Sequence, residues 1–442
     1  MNHCDTLLHA GLLITQDEQR RILENTSLAI RDGLIVAIGE SAAMRARWQA
    51  AATLDCSRML VLPGLVNAHT HVAMTILRGL ADDMPLIDWL TRRIFPVEAG
   101  LTPEEVRLGS LLGFAEMLRT GTTACLDMYI HEAQVLEAAH TAGIRCLAGE
   151  GVFQFPSACC PDYRAALELT RRLADRWQGH ERVRLAVMPH SVYTTTLDML
   201  RACRDLADAL NLPLHIHLAE SPDETARCLA LHGRRPVAHA AACGLFDLPC
   251  TAAHVVDVND EEMALLARAH VAAVHNPSSN MKLASGVMPL RRLRDAGLCV
   301  ALGSDGAASN NQLNMFAEMR QAALLHKAVS GDPTALRAQE ALDMATRHGA
   351  SALHDPRLGR LAVGHPADLA ALDLDAPNLQ PLYQPVSHVV YAATGHEVRL
   401  TMIQGEIVYR DGRFPRFDYP ALLEAFRAVR AAVLQRSSAQ DA

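Results

Sequence analysis

The side chains best placed for chemistry are two histidines one residue apart, His69 and His71, in the segment Pro-Gly-Leu-Val-Asn-Ala-His-Thr-His. On a β-strand, residues two apart lie on the same face. Two imidazoles placed in this way can bind one divalent cation, and imidazole nitrogen is a common zinc ligand. The chain has 21 histidines, so a chance pair of surface histidines is the alternative until other residues support the site.

Other residues of metal-ligand type also follow apolar runs. His215 and His217 form a second pair, and we assign the metal to His217 because it is nearer the end of its run. Asp305, in Leu-Gly-Ser-Asp-Gly, could instead be an aspartate that caps a loop. Together with His69 and His71, these residues offer three neutral histidines and one carboxylate. Such a set can hold Zn²⁺ or Fe²⁺ and leave a position for water.

Two further residues could act on that water. Glu220 follows His217 by three residues and could move protons beside the metal, or it could be an acid at the start of a helix near Pro222. His254 ends another apolar run and could polarise the attacking oxygen, or it could be a buried structural histidine. The pattern indicates a metal-dependent hydrolase.

The elements that must position these residues are eight short apolar runs, each followed by a stretch with helical spacing. This alternation is typical of repeated βα units, and eight parallel strands close a barrel. We therefore predict an α/β protein with a (β/α)8 TIM barrel, whose active site lies at the carboxyl ends of the strands. The runs are 61–69, 121–129, 145–153, 184–191, 213–220, 250–256, 270–277 and 299–305.

The two ends of the chain have a different pattern. Residues 1–58 contain short alternating stretches and the hairpin signal Asp32-Gly33, and similar stretches return after residue 358. We predict that 1–58 and 358–442 form a small β-sandwich, with a final helix near 418–436, beside a barrel of residues 59–357.

Composition excludes several classes of protein. The net charge of −8 argues against nucleic acid as the main partner, and no segment is apolar enough to suggest a membrane span. The 11 cysteines lack the spacing of a secreted disulfide framework, and the first residues lack the features of a signal peptide. A cytoplasmic location is expected.

The chain resembles the amidohydrolase superfamily, within its deaminase and chlorohydrolase branch. The resemblance rests on the histidine pairs already described, His254, the segment His-Asn-Pro-Ser-Ser-Asn-Met-Lys-Leu from His275, and Gly-Ser-Asp-Gly around Asp305. The stretch Met-Thr-Ile-Leu-Arg-Gly from Met74 and Phe-Pro-Val-Glu ending at Glu98 look most like the 5-methylthioadenosine/S-adenosylhomocysteine deaminases.

The resemblance implies one metal ion per subunit, held by His69, His71, His217 and Asp305. Asp305 would accept the proton of water, Glu220 would protonate the ring nitrogen beside the amino-bearing carbon, and His254 would steady the incoming oxygen. A single metal also fits the sequence, because binuclear relatives use a carboxylated lysine on a middle strand. The lysines of this chain are Lys282 and Lys327, both late in the sequence.

The resemblance also implies a nucleoside substrate, with Glu98 near the ribose and His190 in contact with the base or ribose. The expected reaction converts an adenine nucleoside (5′-methylthioadenosine, S-adenosylhomocysteine or adenosine) to its inosine analogue and ammonia. The alternatives are deamination of guanine, a pterin, 8-oxoguanine or cytosine, hydrolysis of a chlorinated triazine, or a non-catalytic scaffold on this fold. A dimer or tetramer is a further expectation from the family.

Overall fold

The computed structural model describes residues 1–438. They form one mixed sheet from the two ends of the chain and two parallel sheets from its middle. The strands are β1 (Asn2–Ile14), β2 (Ile22–Arg31), β3 (Leu34–Glu40), β4 (Trp48–Pro63), β5 (Leu65–Thr70), β6 (Thr122–Tyr129), β7 (Arg145–Val152), β8 (Val183–Leu185), β9 (Met188–Pro189), β10 (Leu214–Leu218), β11 (Cys250–His254), β12 (Ala272–His275), β13 (Val300–Leu302), β14 (Leu369–Asp373), β15 (Val398–Ile403) and β16 (Glu406–Arg410).

The parallel strands form the predicted barrel. One sheet runs β5-β6-β7-β8, with β9 paired to β7, and the other runs β10-β11-β12-β13. Parallel bridges between Val187 and Leu214 and between Ser191 and His217 join the sheets on one side. On the other side, the Asp305 amide donates to the His69 carbonyl at 3.0 Å. The predicted fourth strand is two short pieces, β8 and β9, so the barrel closes through a broken strand.

Strands β5 to β7 are buried along their whole length, because helices cover the outside of the barrel while side chains fill its interior. The helices are α1 (Ser41–Arg47), α2 (Leu86–Trp89), α3 (Phe95–Glu98), α4 (Pro103–Arg119), α5 (Glu132–Ala142), α6 (Tyr163–Arg176), α7 (Leu197–Leu210), α8 (Pro222–His232), α9 (Pro236–Ala242), α10 (Asp260–Arg268), α11 (Pro277–Lys282), α12 (Leu290–Asp295), α13 (Met315–Ser330), α14 (Ala338–Met344), α15 (Arg347–Ala352), α16 (Pro385–Tyr391) and α17 (Tyr419–Ser438), with 3-10 turns at Val72–Leu77, Leu245–Asp247 and Pro377–Leu379 and a π-helical turn at Leu90–Ile94.

Helix α4 shows how local sequence fixes these elements. Thr102 accepts the Glu105 amide, and the Glu105 carboxylate in turn accepts the Thr102 amide, while Pro103 occupies the first turn. This capping box satisfies amides that the first turn of a helix leaves free. It places the start of α4 directly after the segment 78–98.

The two ends of the chain meet in a seven-stranded sheet ordered β16-β15-β14-β4-β1-β2-β3. Strands β1 and β4 are parallel, and the other pairs are antiparallel. The sheet curls, so that its first strands contact segments near its other edge. The Ile35 amide donates to the His365 carbonyl, and Gly405 lies against Gly33 in the predicted hairpin turn. Strand β4 continues to Pro63, past the predicted division at residues 58 and 59. The domain boundaries stay a prediction, and residues 439–442 of the second terminal segment lie outside the described residues.

Within residues 1–438, no helix combines the length and the apolar character needed to cross a bilayer.

Candidate metal centre and active site

The residues singled out in the sequence meet at the carboxyl ends of the barrel strands. His69 lies in β5 and His71 follows it, His217 lies in β10, His254 ends β11, and Asp305 follows β13. Because the strands are parallel, their carboxyl ends share one mouth of the barrel. His254 (φ 76°) and Asp305 (φ 60°) both have left-handed backbone conformations. Such strain at non-glycine residues is common where a side chain must be held in a functional position.

The imidazoles of His69, His71 and His217 all direct Nε2 toward one point, because a hydrogen bond at Nδ1 sets the orientation of each ring. His71 Nδ1 donates to the Met128 carbonyl, and His217 Nδ1 donates to the His190 carbonyl at 2.8 Å. A carbonyl can only accept, so these Nδ1 atoms carry a proton, and in the neutral ring each Nε2 keeps its lone pair.

His69 is fixed through a relay of two histidines. His215 Nδ1 donates to the Thr251 carbonyl at 3.0 Å. Burial holds the pKa of His215 well below its usual value, so the ring is neutral and its Nε2 can accept. His69 Nδ1 donates to that nitrogen at 2.9 Å. The Nε2 of His69 then carries a lone pair, and it is buried without a hydrogen-bond partner among residues 1–438.

The spacing of these atoms fits a metal ion. Asp305 Oδ1 lies 3.3 Å from His69 Nε2 and 3.2 Å from His71 Nε2, and His217 Nε2 lies 3.2 Å from His71 Nε2. Ligands bound about 2.0–2.1 Å from a tetrahedral zinc ion are about 3.3 Å apart. The lone pairs, the orphaned His69 nitrogen and these separations together match the donor set of a zinc site.

Asp305 is held as an anion. Burial alone would raise its pKa, but the neighbouring His69 and His71 imidazoles outweigh burial and hold the pKa well below its usual value. Its Oδ2 accepts the hydroxyls of Ser279, at 2.6 Å, and Ser309, at 3.1 Å. These bonds leave Oδ1 facing the histidines.

Glu220 and His254 face each other beside this centre, with 3.8 Å between Glu220 Oε1 and His254 Nε2. Burial and the nearby Asp305 carboxylate raise the pKa of Glu220 well above its usual value, which favours the protonated carboxyl. Burial lowers the pKa of His254 to about 3, so this ring is neutral. Asn276 and Asn280 place side-chain amides 3.3 and 3.1 Å from His254 Nδ1. If Nδ1 accepts from them, the proton lies on Nε2, which faces the centre.

A cavity opens onto these groups. Glu98 and His190 line it, together with a wall of apolar side chains, and no lysine or arginine is among the described lining residues. The lining is His71, Met74, Leu86, Trp89, Leu90, Phe95, Glu98, Met128, Tyr129, Ile130, Phe153, His190, Tyr193, His217, Glu220, His254, Leu283, Asp305 and Ser309. This lining suits a largely apolar molecule with a few polar groups.

Glu98 and His190 take up different positions in the cavity. Burial raises the pKa of Glu98 to about 7, against the effect of the neighbouring Tyr129 hydroxyl, and Glu98 Oε1 has no hydrogen-bond partner among residues 1–438. His190 Nδ1 bonds the Thr194 hydroxyl at 2.8 Å, and its ring lies 4.7 Å from those of Phe153 and His217. Glu98 is therefore a free buried acceptor, and His190 forms part of an aromatic wall.

The structure brings every predicted site residue into one place, and it adds residues to which the sequence assigned no role. His215 stands behind His69, Ser279 holds Asp305, and Asn276 and Asn280 hold His254. The last three lie in the segment that follows His275, just after a strand end. Polar residues directly after a predicted barrel strand are the sequence signal that could have identified these three residues.

Comparison with known proteins gives a consistent result. The amidohydrolase family profile matches residues 60–408. A 5-methylthioadenosine/S-adenosylhomocysteine deaminase of Desulfovibrio desulfuricans is 62% identical over 430 residues, which cover 97% of this chain and 98% of the relative.

Two solved structures superpose closely. An adenosine deaminase from Xanthomonas campestris with bound zinc has a TM-score of 0.95 and 38% identity, and the match covers 98% of this chain and 99% of that one. A zinc-bound atrazine chlorohydrolase from Arthrobacter aurescens has a TM-score of 0.89 and 26% identity, with 96% and 100% of the chains covered.

Proposed function

The chain belongs to the amidohydrolase family, and from that premise we propose that it is a metal-dependent deaminase of adenine nucleosides. The observation that carries the proposal is the placement of a buried carboxyl group, that of Glu220, beside a complete set of metal donors in one cavity. The relatives named above support the substrate class, because the Desulfovibrio desulfuricans protein is a 5-methylthioadenosine/S-adenosylhomocysteine deaminase.

His69, His71, His217 and Asp305 would hold one zinc ion, with Fe²⁺ as the alternative. Zinc bound there would supply the Lewis acidity that lowers the pKa of water from 15.7 to about 7. Hydrogen bonds to the three Nδ1 atoms already orient the imidazoles so that each Nε2 faces the position of the ion.

The residues around the donor set would move the protons of the reaction. The Asp305 carboxylate accepts a proton from the attacking water, and the Glu220 carboxyl donates its proton to the ring nitrogen beside the amino-bearing carbon. His254, neutral and with Nε2 toward the centre, donates a hydrogen bond to the incoming oxygen. Return of a proton to the amino group then lets ammonia leave.

Glu98 would bind the ribose. An ionised carboxylate can accept hydrogen bonds from two adjacent sugar hydroxyls, and a buried acceptor without a protein partner is costly unless a ligand supplies donors. A triazine or a free base lacks those hydroxyls. Glu98 therefore favours a nucleoside over the other substrates of this branch, and the complete donor set disfavours a non-catalytic scaffold.

The wall beside Glu98 favours an uncharged 5′ substituent. Phe95, Phe153 and Phe155 form a cluster, with ring centroids 5.3 Å apart for Phe95 and Phe155 and 5.1 Å apart for Phe153 and Phe155. A thioether packs well against aromatic rings, whereas the amino and carboxylate groups of homocysteine would lose hydration there without a protein partner. We propose that methylthioadenosine and adenosine are better substrates than S-adenosylhomocysteine.

The test is ammonia release from methylthioadenosine, adenosine, S-adenosylhomocysteine, guanine and cytosine by the zinc-loaded protein. Glu220→Gln should retain zinc and lose roughly 10²–10⁴-fold in kcat, the usual contribution of a general acid or base. Glu98→Ala should raise KM for the ribosides. The exposed Glu261→Gln serves as the matched carboxylate control.

Three outcomes would contradict parts of this proposal. Near-normal turnover by Glu220→Gln would remove the proton-transfer role. Equal activity on ribosides and free bases would remove the nucleoside assignment. A kcat/KM for S-adenosylhomocysteine equal to that for methylthioadenosine would remove the preference for an uncharged tail. Assembly as a dimer or tetramer stays a prediction, which sedimentation would test.

A further inference from the structure

A second group of metal-ligating side chains lies outside the donor set described above. Cys159 and Cys160 are adjacent in the loop that follows β7, and Glu150 lies near the end of that strand. One ligand atom from each of the three lies within 4.8 Å of the other two. Glu150 and Cys160 are buried, and Cys159 is partly exposed, so the group is reachable from outside.

The loop is folded so that both sulfur atoms stay beside the carboxylate. Cys159 Sγ donates to Glu150 Oε1 at 2.8 Å. The Ser157 amide bonds the Cys160 carbonyl at 2.9 Å, and the Cys160 amide bonds the Ser157 hydroxyl at 3.1 Å. These two bonds close a tight turn that holds the vicinal cysteines in place.

Burial raises the pKa of Glu150 well above its usual value, and the Cys160 thiol and burial raise the pKa of Cys159, but two backbone amides oppose these shifts. The Glu132 amide, in the first turn of α5, donates to Glu150 Oε2 at 2.9 Å, and the His131 amide donates to Cys159 Sγ at 3.4 Å. Amides at a helix amino terminus stabilise carboxylate and thiolate anions. Metal binding requires those anions, so these contacts reduce the cost of forming them.

The group also has an excess of buried acids. Glu132 is fully buried, and neither of its carboxylate oxygens finds an N–H or hydroxyl donor among residues 1–438. Burial and the neighbouring Asp127 and Glu150 carboxyls raise the pKa of Glu132 well above its usual value. No lysine or arginine of the described chain is among the charges acting on Glu132 or Glu150. Buried carboxyls without a basic partner are stabilised by protons or by a metal cation.

We propose that Cys159, Cys160 and Glu150 form a second cation site, which takes one thiophilic divalent ion such as Zn²⁺ or Cd²⁺. Two thiolates and a carboxylate are a soft to borderline donor set, which selects such ions over Mg²⁺ or Ca²⁺. Water or the Ser157 hydroxyl would supply the fourth ligand of a tetrahedral site. The site is independent of the proposed deaminase function.

A bound ion would restrict the motion of the loop after β7, which lines part of the substrate cavity. Phe153 lines that cavity and lies between β7 and the two cysteines, and Phe155 packs against it. An ion joining the cysteines to Glu150 would fix both ends of this aromatic segment to the barrel.

The test is titration of the zinc-loaded protein with Cd²⁺ under anaerobic, reducing conditions, followed by the ultraviolet sulfur-to-cadmium charge-transfer band. The histidine centre contains no sulfur, so cadmium there gives no such band. We expect a band that saturates at one added equivalent per chain and is unaffected by Mg²⁺. Cys159→Ser and Cys160→Ser should each weaken cadmium binding at least tenfold, while Cys299→Ser, at another partly exposed cysteine, should not.

The absence of a stoichiometric band in the native protein would overturn the proposal, and so would a band that survives the Cys159→Ser/Cys160→Ser double substitution. If the serine variants do not fold, protection of native Cys159 from alkylation gives a second measurement. One equivalent of Cd²⁺ should slow alkylation of Cys159 at least tenfold, and unchanged alkylation would contradict the site.

Discussion

At the scale of single residues, the direction of one proton decides whether His69 can bind a metal. His215 accepts the Nδ1 proton of His69 because the Thr251 carbonyl has already fixed the tautomer of His215. The lone pair of His69 then faces Asp305. Loss of a hydrogen-bond partner behind a metal ligand typically lowers metal affinity by about 10–100-fold.

Replacement of His215 should therefore weaken zinc binding while leaving the ligands in place. We expect His215→Leu to raise the zinc Kd by about 10–100-fold, and His215→Gln, which retains an acceptor, to raise it less. Competition with a chelator of known affinity measures both. The exposed His396→Leu is the control, and an unchanged Kd in His215→Leu would show that the tautomer of His69 does not depend on this contact.

The ionisation of Glu98 predicts a pH dependence of substrate capture. Burial raises its pKa to about 7, so the carboxyl is largely protonated below that pH and ionised above it. Only the ionised form accepts both ribose hydroxyls, so kcat/KM for methylthioadenosine should rise with pH through about 7. The quantity kcat/KM reports the free enzyme, to which this pKa belongs. Glu98→Gln should remove this step, and a step that persists in the variant would assign it to another group.

At the scale of elements, the segment 78–98 acts as one side of the cavity. It supplies apolar lining residues and Glu98, and an ion pair joins it to α11. Lys282 Nζ, on α11, bonds the carboxylate of Asp82, the side chain of Asn311 and, at 3.2 Å, the Ala308 carbonyl. These contacts hold the segment against the barrel mouth.

Removal of the Lys282 ammonium should loosen this segment. Partly exposed ion pairs contribute about 0.2–1 kcal/mol, so we expect Lys282→Met to raise KM by up to about fivefold with little change in kcat. Steady-state kinetics on methylthioadenosine measure the two separately. Asp82→Asn should behave in the same way, whereas Asp83→Asn, at a residue with no ion pair within residues 1–438, should not. A large fall in kcat would indicate that Lys282 acts on the chemistry itself.

At the scale of the whole molecule, a buried ion pair joins the barrel to the terminal sheet. Arg145, at the start of β7, donates from Nε to Asp368 Oδ2 at 2.5 Å and from Nη2 to Oδ1 at 3.2 Å. Asp368 also accepts the Gln404 amide at 2.8 Å, and its carbonyl accepts the Gly64 amide. Both charged side chains are almost fully buried.

Loss of one partner would leave the other charge buried and unpaired. We expect Asp368→Asn to lower the free energy of unfolding by about 3–5 kcal/mol, because an uncompensated buried guanidinium is costly. Urea denaturation measures this loss. Asp375→Asn, which breaks the exposed pair with Arg58, should cost at most about 1 kcal/mol. Equal losses from the two substitutions would show that the buried pair stabilises the fold no more than the exposed pair does.

The sequence by itself determined the barrel and the side chains at its mouth. Strand alternation and the order of apolar runs are local properties, and the carboxyl ends of parallel strands must share one edge. The sequence alone therefore places His69, His71, His254 and Asp305 near one another. The Asp32-Gly33 hairpin and the final helix were predictable for the same reason, because both follow from neighbouring residues.

Only the tertiary structure decided the roles that depend on depth and on distant partners. His215 and His217 lie two residues apart and so share a face, and local periodicity cannot separate them. Their different depths in the barrel separate their roles. His215 contacts Nδ1 of His69, whereas His217 lies beside Nε2 of His71. The orphaned oxygen of Glu98 and the contact between Cys159 and Glu150 likewise depend on packing between segments that the sequence does not place together.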